Sequence, residues 1–183
     1  LALAVQHFSD PWMHAAVMSS AIPHLRALCE GIGVAGMQPD QIGVISNYAG
    51  GLIATALGVG DRDSLAALLK PLLAERALDM RWIQYDSVSL VLSILEQQKR
   101  GLSFLTEKQD ALAALAPQME ALLDTAVGDA SSETPVQTTP WIMSDVRSTA
   151  MMLLMRVPER RSAMMPVLTR WLASKEPWQS HLQ

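Results

Sequence analysis

The stretch that decides the fold is SDPWMHAAVMSSAIP, residues 9–23, because its pattern returns downstream as SDVRSTAMMLLMRVP, residues 144–158. Both copies open on a Ser-Asp pair, carry an alanine six residues later (Ala15 and Ala150) and close on a proline. Ser and Asp accept hydrogen bonds from the free amides at a helix start, and proline fits the first helical turn. The repetition predicts an α-helical repeat protein in which each copy begins a unit.

Composition also favours helices along the whole chain. Half of the 183 residues are hydrophobic, 17% are charged and 5% are aromatic, and alanine, leucine and methionine recur throughout, which suits helices better than strands. The length is typical of one domain with its own core. We therefore predict a single all-α domain over residues 1–183, a HEAT or armadillo-like α-solenoid of helix pairs stacked in a curved right-handed array.

Apolar residues at intervals of three and four predict where the helices lie. Helices are expected to begin near Trp12, His24 (ending at Gly31 and Gly33), Pro39, Asp61, Asp79, Thr106 (ending at Gly128), Ser144 and Glu159. The sequence Lys175-Glu176-Pro177-Trp178 restarts the opening pattern. A solvent loop, prone to disorder or proteolysis, is expected at about 129–140, where Ser, Thr and Pro are frequent.

Small and helix-breaking residues predict how these helices pack. The face of Trp12, Ala15, Ala16 and Ser19 is expected to let another helix approach closely, with the tryptophan as its anchor. Gly50-Gly51, inside a predicted helix, indicates a kink or a close backbone crossing. Pro71, Pro117 and Pro166 are each expected to bend or split a helix.

Charge and cysteine content exclude several classes of function. The net charge of −4 and the absence of a large Lys/Arg cluster argue against a nucleic-acid partner. No apolar run approaches the roughly 20 residues that cross a bilayer, so a soluble domain without membrane insertion is expected. The single cysteine, Cys29, excludes an internal disulfide.

Five segments carry a resemblance to a known family: DPWMHAAVMSSA, GLIATALGVGDRDSLAALLKPLL, KRGLSFL, DVRSTAMMLL and EPWQSHLQ. Together they resemble the HEAT-like helical region of multidomain membrane-bound dehydrogenase, or c-type haem-binding, proteins of the planctomycete and verrucomicrobial type. The resemblance implies a scaffold in an exported, periplasmic protein, whose partners are other domains of the same chain or another protein. It implies no catalytic or cofactor-binding residue, because the chain has no Cys-x-x-Cys-His motif. The start at Leu1 likewise indicates a fragment of a larger protein.

Residues that could carry chemistry have simpler interpretations. The histidines His7, His14, His24 and His181 lack the spacing of a metal site. Cys29 is expected to be buried and inert, with Glu30 raising its thiol pKa. Asp61 and Asp63 are explained as helix caps, and Gly58-Val59-Gly60 follows no strand, which argues against a phosphate loop.

The methionine cluster of the second copy has two interpretations. Thioether ligands for copper or haem are one, and an adaptable core is the favoured one. The cluster consists of Met151, Met152, Met155, Met164 and Met165.

The tryptophans are either packed between repeats or part of an interaction surface. The possible surface comprises Trp12, Trp82, Trp141 and Trp178. We therefore predict a non-catalytic scaffold or protein-interaction module rather than an enzyme. The alternative is a small-molecule-binding or enzymatic bundle with a pocket formed by Tyr48, Tyr85, Asp86 and the tryptophans.

Overall fold

A computed structural model describes residues 2–132 and 146–173, and within these ranges it contains helices and turns but no strand. The helices are α1 (Ala2–Gln6), α2 (Pro11–Ser19), α3 (Leu25–Ala35), α4 (Ile42–Val59), α5 (Arg62–Leu72), α6 (Arg81–Gln97), α7 (Ala116–Ser131), α8 (Val146–Met155) and α9 (Pro158–Ala173). Short 3-10 turns occupy Ile22–His24, Leu78–Met80, Leu102–Thr106 and Ala113–Leu115. The predicted all-α fold is confirmed.

Aspartate caps start helices as the sequence predicts. The Asp10 carboxylate accepts hydrogen bonds from the amides of Trp12 (2.8 Å) and Met13 (3.5 Å) at the start of α2. Asp61 accepts one from the amide of Ser64 (3.0 Å) at the start of α5. These bonds satisfy amides that have no partner inside the helix. The equivalent Asp145 lies outside the described residues.

Gly33 marks a close helix crossing, and the prediction that Gly31 and Gly33 end the helix is wrong. Helix α3 continues to Ala35. A Cβ atom at Gly33 would lie 2.5 Å from the carbonyl oxygen of Leu68 and 2.8 Å from Cγ of Pro71, both in α5. The absence of a side chain therefore lets α3 and α5 pack against each other.

The glycine pair in α4 behaves differently at its two positions. The helix runs unbroken through both. At Gly51 a Cβ atom would lie 2.8 Å from Cε of Met18 in α2, whereas at Gly50 no atom comes within 4 Å. A close approach is thus present at Gly51 alone, and it involves a side chain rather than backbone.

The long helix predicted from Thr106 to Gly128 is wrong at both ends. Thr106 ends a 3-10 turn, and α7 begins only at Ala116. Pro117 stands in the first turn of α7, where its missing amide costs no hydrogen bond, so this proline lies at a helix start and does not bend or split a helix. Gly128 lies inside α7, which continues to Ser131. The predicted loop at about 129–140 therefore starts later, and residues 133–140 lie outside the described part.

Helices pack mainly against neighbours one or two places along the chain. In what we call the first row, α2 contacts α4, α4 contacts α6, and α6 contacts α8. In the second row, α3 contacts α5 and α7 contacts α9, but α5 and α7 make no extensive contact, so this row is interrupted. The rows meet where α3 contacts α4 and where α8 contacts α7 and α9, and their apolar side chains form one continuous core. Among the described residues, no helix is both long and apolar enough to span a bilayer.

Candidate functional site

An open groove of about 560 Å³ crosses the first row of helices. Helix α4 contributes one wall residue, α6 the polar floor and α8 a wall rich in methionine. The lining residues are Ser46, Asp86, Ser89, Leu90, Ser93, Met151, Met152, Met155 and Arg156. Because α4, α6 and α8 lie side by side, the groove joins residues that are distant in sequence.

Methionines on α8 form the apolar wall of the groove. Met151 is buried against the core, Met155 is half-buried, and Met152 is 50% exposed. The predicted methionine cluster therefore divides, with Met151 and Met164 in the core and Met152 and Met165 at the surface. Unbranched, polarisable thioethers adapt their shape to different apolar partners. The α8 wall is thus suited to contact with an apolar side chain.

The groove carries one paired cation and one unpaired carboxylate. Arg156 donates from Nε to the hydroxyl of Ser89 (3.2 Å), and its Nη1 lies 3.5 Å from the Glu96 carboxylate. Asp86 makes no hydrogen bond or ion pair with the described part of the chain. Asp86 is exposed, and partial desolvation of its carboxylate by the surrounding protein raises the pKa of Asp86. The unbalanced charge of the groove is therefore negative.

Tyr85 and Asp86 point to different sides of α6. Tyr85 is buried and donates its hydroxyl to Oδ2 of Asp129 in α7 (2.6 Å), while Arg81 donates to both carboxylate oxygens of Asp129 at 3.1 and 3.2 Å. Burial, with help from the hydrogen bond, raises the pKa of the Tyr85 phenol. Tyr48 is buried and stacks on His14, with ring centroids 5.0 Å apart. Neither tyrosine lines the groove, so the pocket predicted from Tyr48, Tyr85 and Asp86 is not assembled.

The predicted packing face of α2 is wrong, because the face of Trp12, Ala15, Ala16 and Ser19 points to solvent. Trp12 is 85% exposed, and the other three residues are exposed as well. Helix α2 makes its main contacts with α1 and α4, so only its opposite side, which includes Met18, meets the protein. Within the described part of the chain, the tryptophan therefore anchors no helix.

Of the other three tryptophans of the predicted interaction surface, the structure describes Trp82. Trp82 is half-buried against the core at the start of α6, and its indole nitrogen is buried without a hydrogen-bond partner in the described chain. Trp141 and Trp178 lie outside the described residues. The predicted surface is therefore represented by Trp12 alone within residues 2–132 and 146–173.

His14 and Cys29 have structural roles. No group of three His, Cys, Asp or Glu side chains suited to a metal ion occurs in the described part of the chain. His14 donates from Nε2 to the carbonyl oxygen of Asn47 (3.1 Å) and so ties α2 to α4. The prediction of a buried Cys29 is confirmed. Burial, assisted by Asp61 rather than by the predicted Glu30, raises the thiol pKa to about 12.

Sequence reasoning missed most of the groove but had one usable signal. Asp86, Ser89 and Ser93 recur at intervals of three and four, which places three polar side chains on one side of α6. This helix buries nine residues, among them Val88 and Leu92 on its other sides and Ser89 within the stripe itself. A polar stripe on a helix that is otherwise largely apolar indicates a candidate binding surface.

Comparison with known protein families, with curated proteins and with solved structures finds no match for this chain. The resemblance to the helical region of haem-binding dehydrogenases therefore stays a prediction.

Proposed function

We propose that this chain is a non-catalytic helical-repeat module that binds a segment of another protein or of another domain. The groove across α4, α6 and α8 is the observation that carries the proposal. It is open to solvent, it combines thioethers with hydroxyls and one free carboxylate, and its volume of about 560 Å³ accommodates several side chains. Adaptable methionine-rich surfaces are a common means of binding polypeptides.

The proposal includes the α-solenoid architecture. Packing of each helix on those one and two places away is what a stack of helix pairs produces, and the two rows of helices support this interpretation. In such a stack one row lines a continuous surface, and binding partners commonly lie along it. One difference separates the two copies of the opening motif: α8 packs on the following helix α9, whereas the main contacts of α2 are with α1 and α4.

The setting we propose is a larger, exported redox protein, in which the module holds other domains in place. Its support is the sequence resemblance alone. Sequencing of the gene on either side of these residues tests this setting. We expect it to encode a β-propeller domain before the chain and a Cys-x-x-Cys-His motif after it. Flanks that encode neither would remove this setting and leave the binding module unaffected.

Selection from a random peptide library on the immobilised chain tests the binding function. We expect enriched peptides whose binding shifts the NMR signals of Met152 and Met155 in chain labelled at the methionine methyl groups. Ser46→Arg fills the groove from an exposed position and is expected to abolish binding. Gln118→Arg adds the same charge to an exposed site on α7 and is the matched control. Peptides that bind the Ser46→Arg variant as tightly as they bind the parent chain would contradict the proposal.

A further inference from the structure

We infer that the groove selects a polypeptide segment that places a lysine or arginine against Asp86 and an apolar side chain against the methionines of α8. This inference rests on the proposed function and names the chemistry of its partner. Three features carry it: the unpaired carboxylate of Asp86, the arginine that already has partners, and the methionine wall with its exposed Met152.

Asp86 is a charge without a partner. Its carboxylate sits on the groove side of α6 and contacts no cation of the described chain. A partly desolvated carboxylate gains free energy from a nearby opposite charge. A lysine or arginine brought in by a partner supplies that charge, whereas a neutral side chain leaves the carboxylate unpaired.

Arg156 does not compete for this role. Its Nε is used by Ser89, and its Nη1 faces Glu96. The guanidinium therefore already has partners, and an acidic segment would have to displace these contacts while approaching Asp86. The net charge of −4 on the chain adds a further repulsion against acidic partners.

The methionine wall suits the rest of a basic segment. Lysine and arginine carry apolar stems of three or four methylene groups that pack on hydrophobic surfaces while the charged end reaches a polar group. Met152 is half exposed, and Met155 and Leu90 lie beside it in the groove. These side chains offer a contact for the stem and for an apolar neighbour in the partner.

The experiment compares three short helical peptides that share one leucine pattern and differ in the intervening residues: lysine, glutamine or glutamate. Each is titrated into chain labelled at the methionine methyl groups. We expect the lysine peptide to shift the signals of Met151, Met152 and Met155 and to bind at least about tenfold more tightly than the other two. Equal binding by the glutamine peptide would overturn the inference.

Two variants at one position test the charge directly. Asp86→Asn is expected to weaken binding of the lysine peptide about tenfold and to leave the glutamine peptide unaffected. Asp40→Asn removes the same charge from an exposed turn outside the groove and should change neither. Asp86→Lys is expected to reverse the preference and favour the glutamate peptide.

The outcomes of these experiments distinguish a failure of this inference from a failure of the proposed function. Asp86→Asn that unfolds at the same temperature as the parent chain and still binds the lysine peptide unchanged would overturn the inference. Library peptides that bind in the groove without a basic residue would overturn it too, while they would support the binding function. An absence of any groove-binding peptide would overturn both.

Discussion

At the scale of single residues, Arg62 contributes a buried link that joins two distant segments. It donates to both carboxylate oxygens of Asp110 and to the carbonyl oxygens of Phe104 (2.9 Å) and Leu105 (3.1 Å). Its guanidinium also lies over the Phe104 ring, 4.6 Å from the centroid. The irregular segment before α7 is thereby fixed to the start of α5.

Replacement of Arg62 is expected to be strongly destabilising. Arg62→Ala removes the guanidinium donor from the part-buried Asp110 carboxylate and from the carbonyl oxygens of Phe104 and Leu105. A buried carbonyl left without a hydrogen bond costs about 1–3 kcal/mol of unfolding free energy. Urea denaturation measures this loss. Arg26→Ala, at an exposed position in α3, is the control and should change stability by less than about 0.5 kcal/mol. Equal effects of the two variants would contradict the structural role of Arg62.

The pairing of Arg62 with Asp110 makes the stability of the fold depend on pH. The hydrogen bond from Arg62, supported by the amides of Ala113 and Leu112, lowers the pKa of Asp110 from 3.8 to about 2. A carboxylate with a lowered pKa stabilises the fold above its unfolded-state pKa, and this stabilisation is lost as the pH falls from about 4 towards 2. Asp110→Asn should therefore reduce the loss of stability between these pH values, as followed by denaturation at each pH. An unchanged pH profile would rule out the contribution of Asp110.

Residue-scale prediction from sequence succeeded where the reason was local. Asp10 and Asp61 act on amides two or three residues away, so the sequence alone predicts them as caps. Arg62 was missed because its partner, Asp110, is 48 residues away. One signal was present: a basic residue in the first turn of a helix opposes the helix dipole, and its presence there indicates a compensating contact.

At the scale of elements, the crossing of α3 and α5 depends on Gly33. Gly33→Ala should improve the helix propensity of α3 and nevertheless destabilise the protein by about 1–3 kcal/mol. The added Cβ would lie 2.5 Å from a backbone oxygen of α5, which cannot move away as a side chain can. Thermal unfolding measures the effect.

Gly128 provides the matched control for this substitution. It also lies inside a helix, and a Cβ atom there would meet no atom within 4 Å. Gly128→Ala should therefore stabilise the protein by about 0.5–1 kcal/mol. If both alanine variants shifted the unfolding temperature in the same direction, the close crossing at Gly33 would not be the deciding contact.

The observed helix ends show why glycine alone is a poor indicator of where a helix ends. A glycine ends a helix when it adopts positive φ, as Gly60 does at the end of α4 with a φ of 72°. Gly33 and Gly128 are the same residue type as Gly60, yet they lie within helices. Whether a glycine serves as a stop or as a crossing point depends on the neighbouring helix, which a single sequence does not specify.

At the scale of the whole molecule, burial differs sharply between the helices of the first row. Helix α2 buries none of its residues, whereas α6 buries nine. Local opening is easiest where few apolar contacts must be broken. We therefore expect the amides of α2 to exchange hydrogen fastest and those of α6 to exchange slowest among these helices, as measured by mass spectrometry. Equal protection of α2 and α6 would show that the row opens as one unit.

The groove also belongs to this scale, and the sequence predicted only part of it. Asp86 and the methionines of α8 were recognised as unusual, but Asp86 was assigned to a pocket with Tyr85. Helical periodicity determines which side of α6 a residue occupies, but it does not reveal that α8 lies beside that side. The contact between Arg156 and Ser89 spans 67 residues, a distance at which local patterns carry no information.

The packing of each helix on those one or two places away has a consequence for synthesis. As the chain leaves the ribosome, α3 meets its main partner once α5 has emerged. Helix α6 meets α8 once α7 and α8 have emerged. Contacts between helices one or two places apart close shorter loops than contacts between the ends of the chain would, and so at smaller entropic cost. Apolar surface is thus covered soon after it is made, and the emerging chain has less opportunity to aggregate.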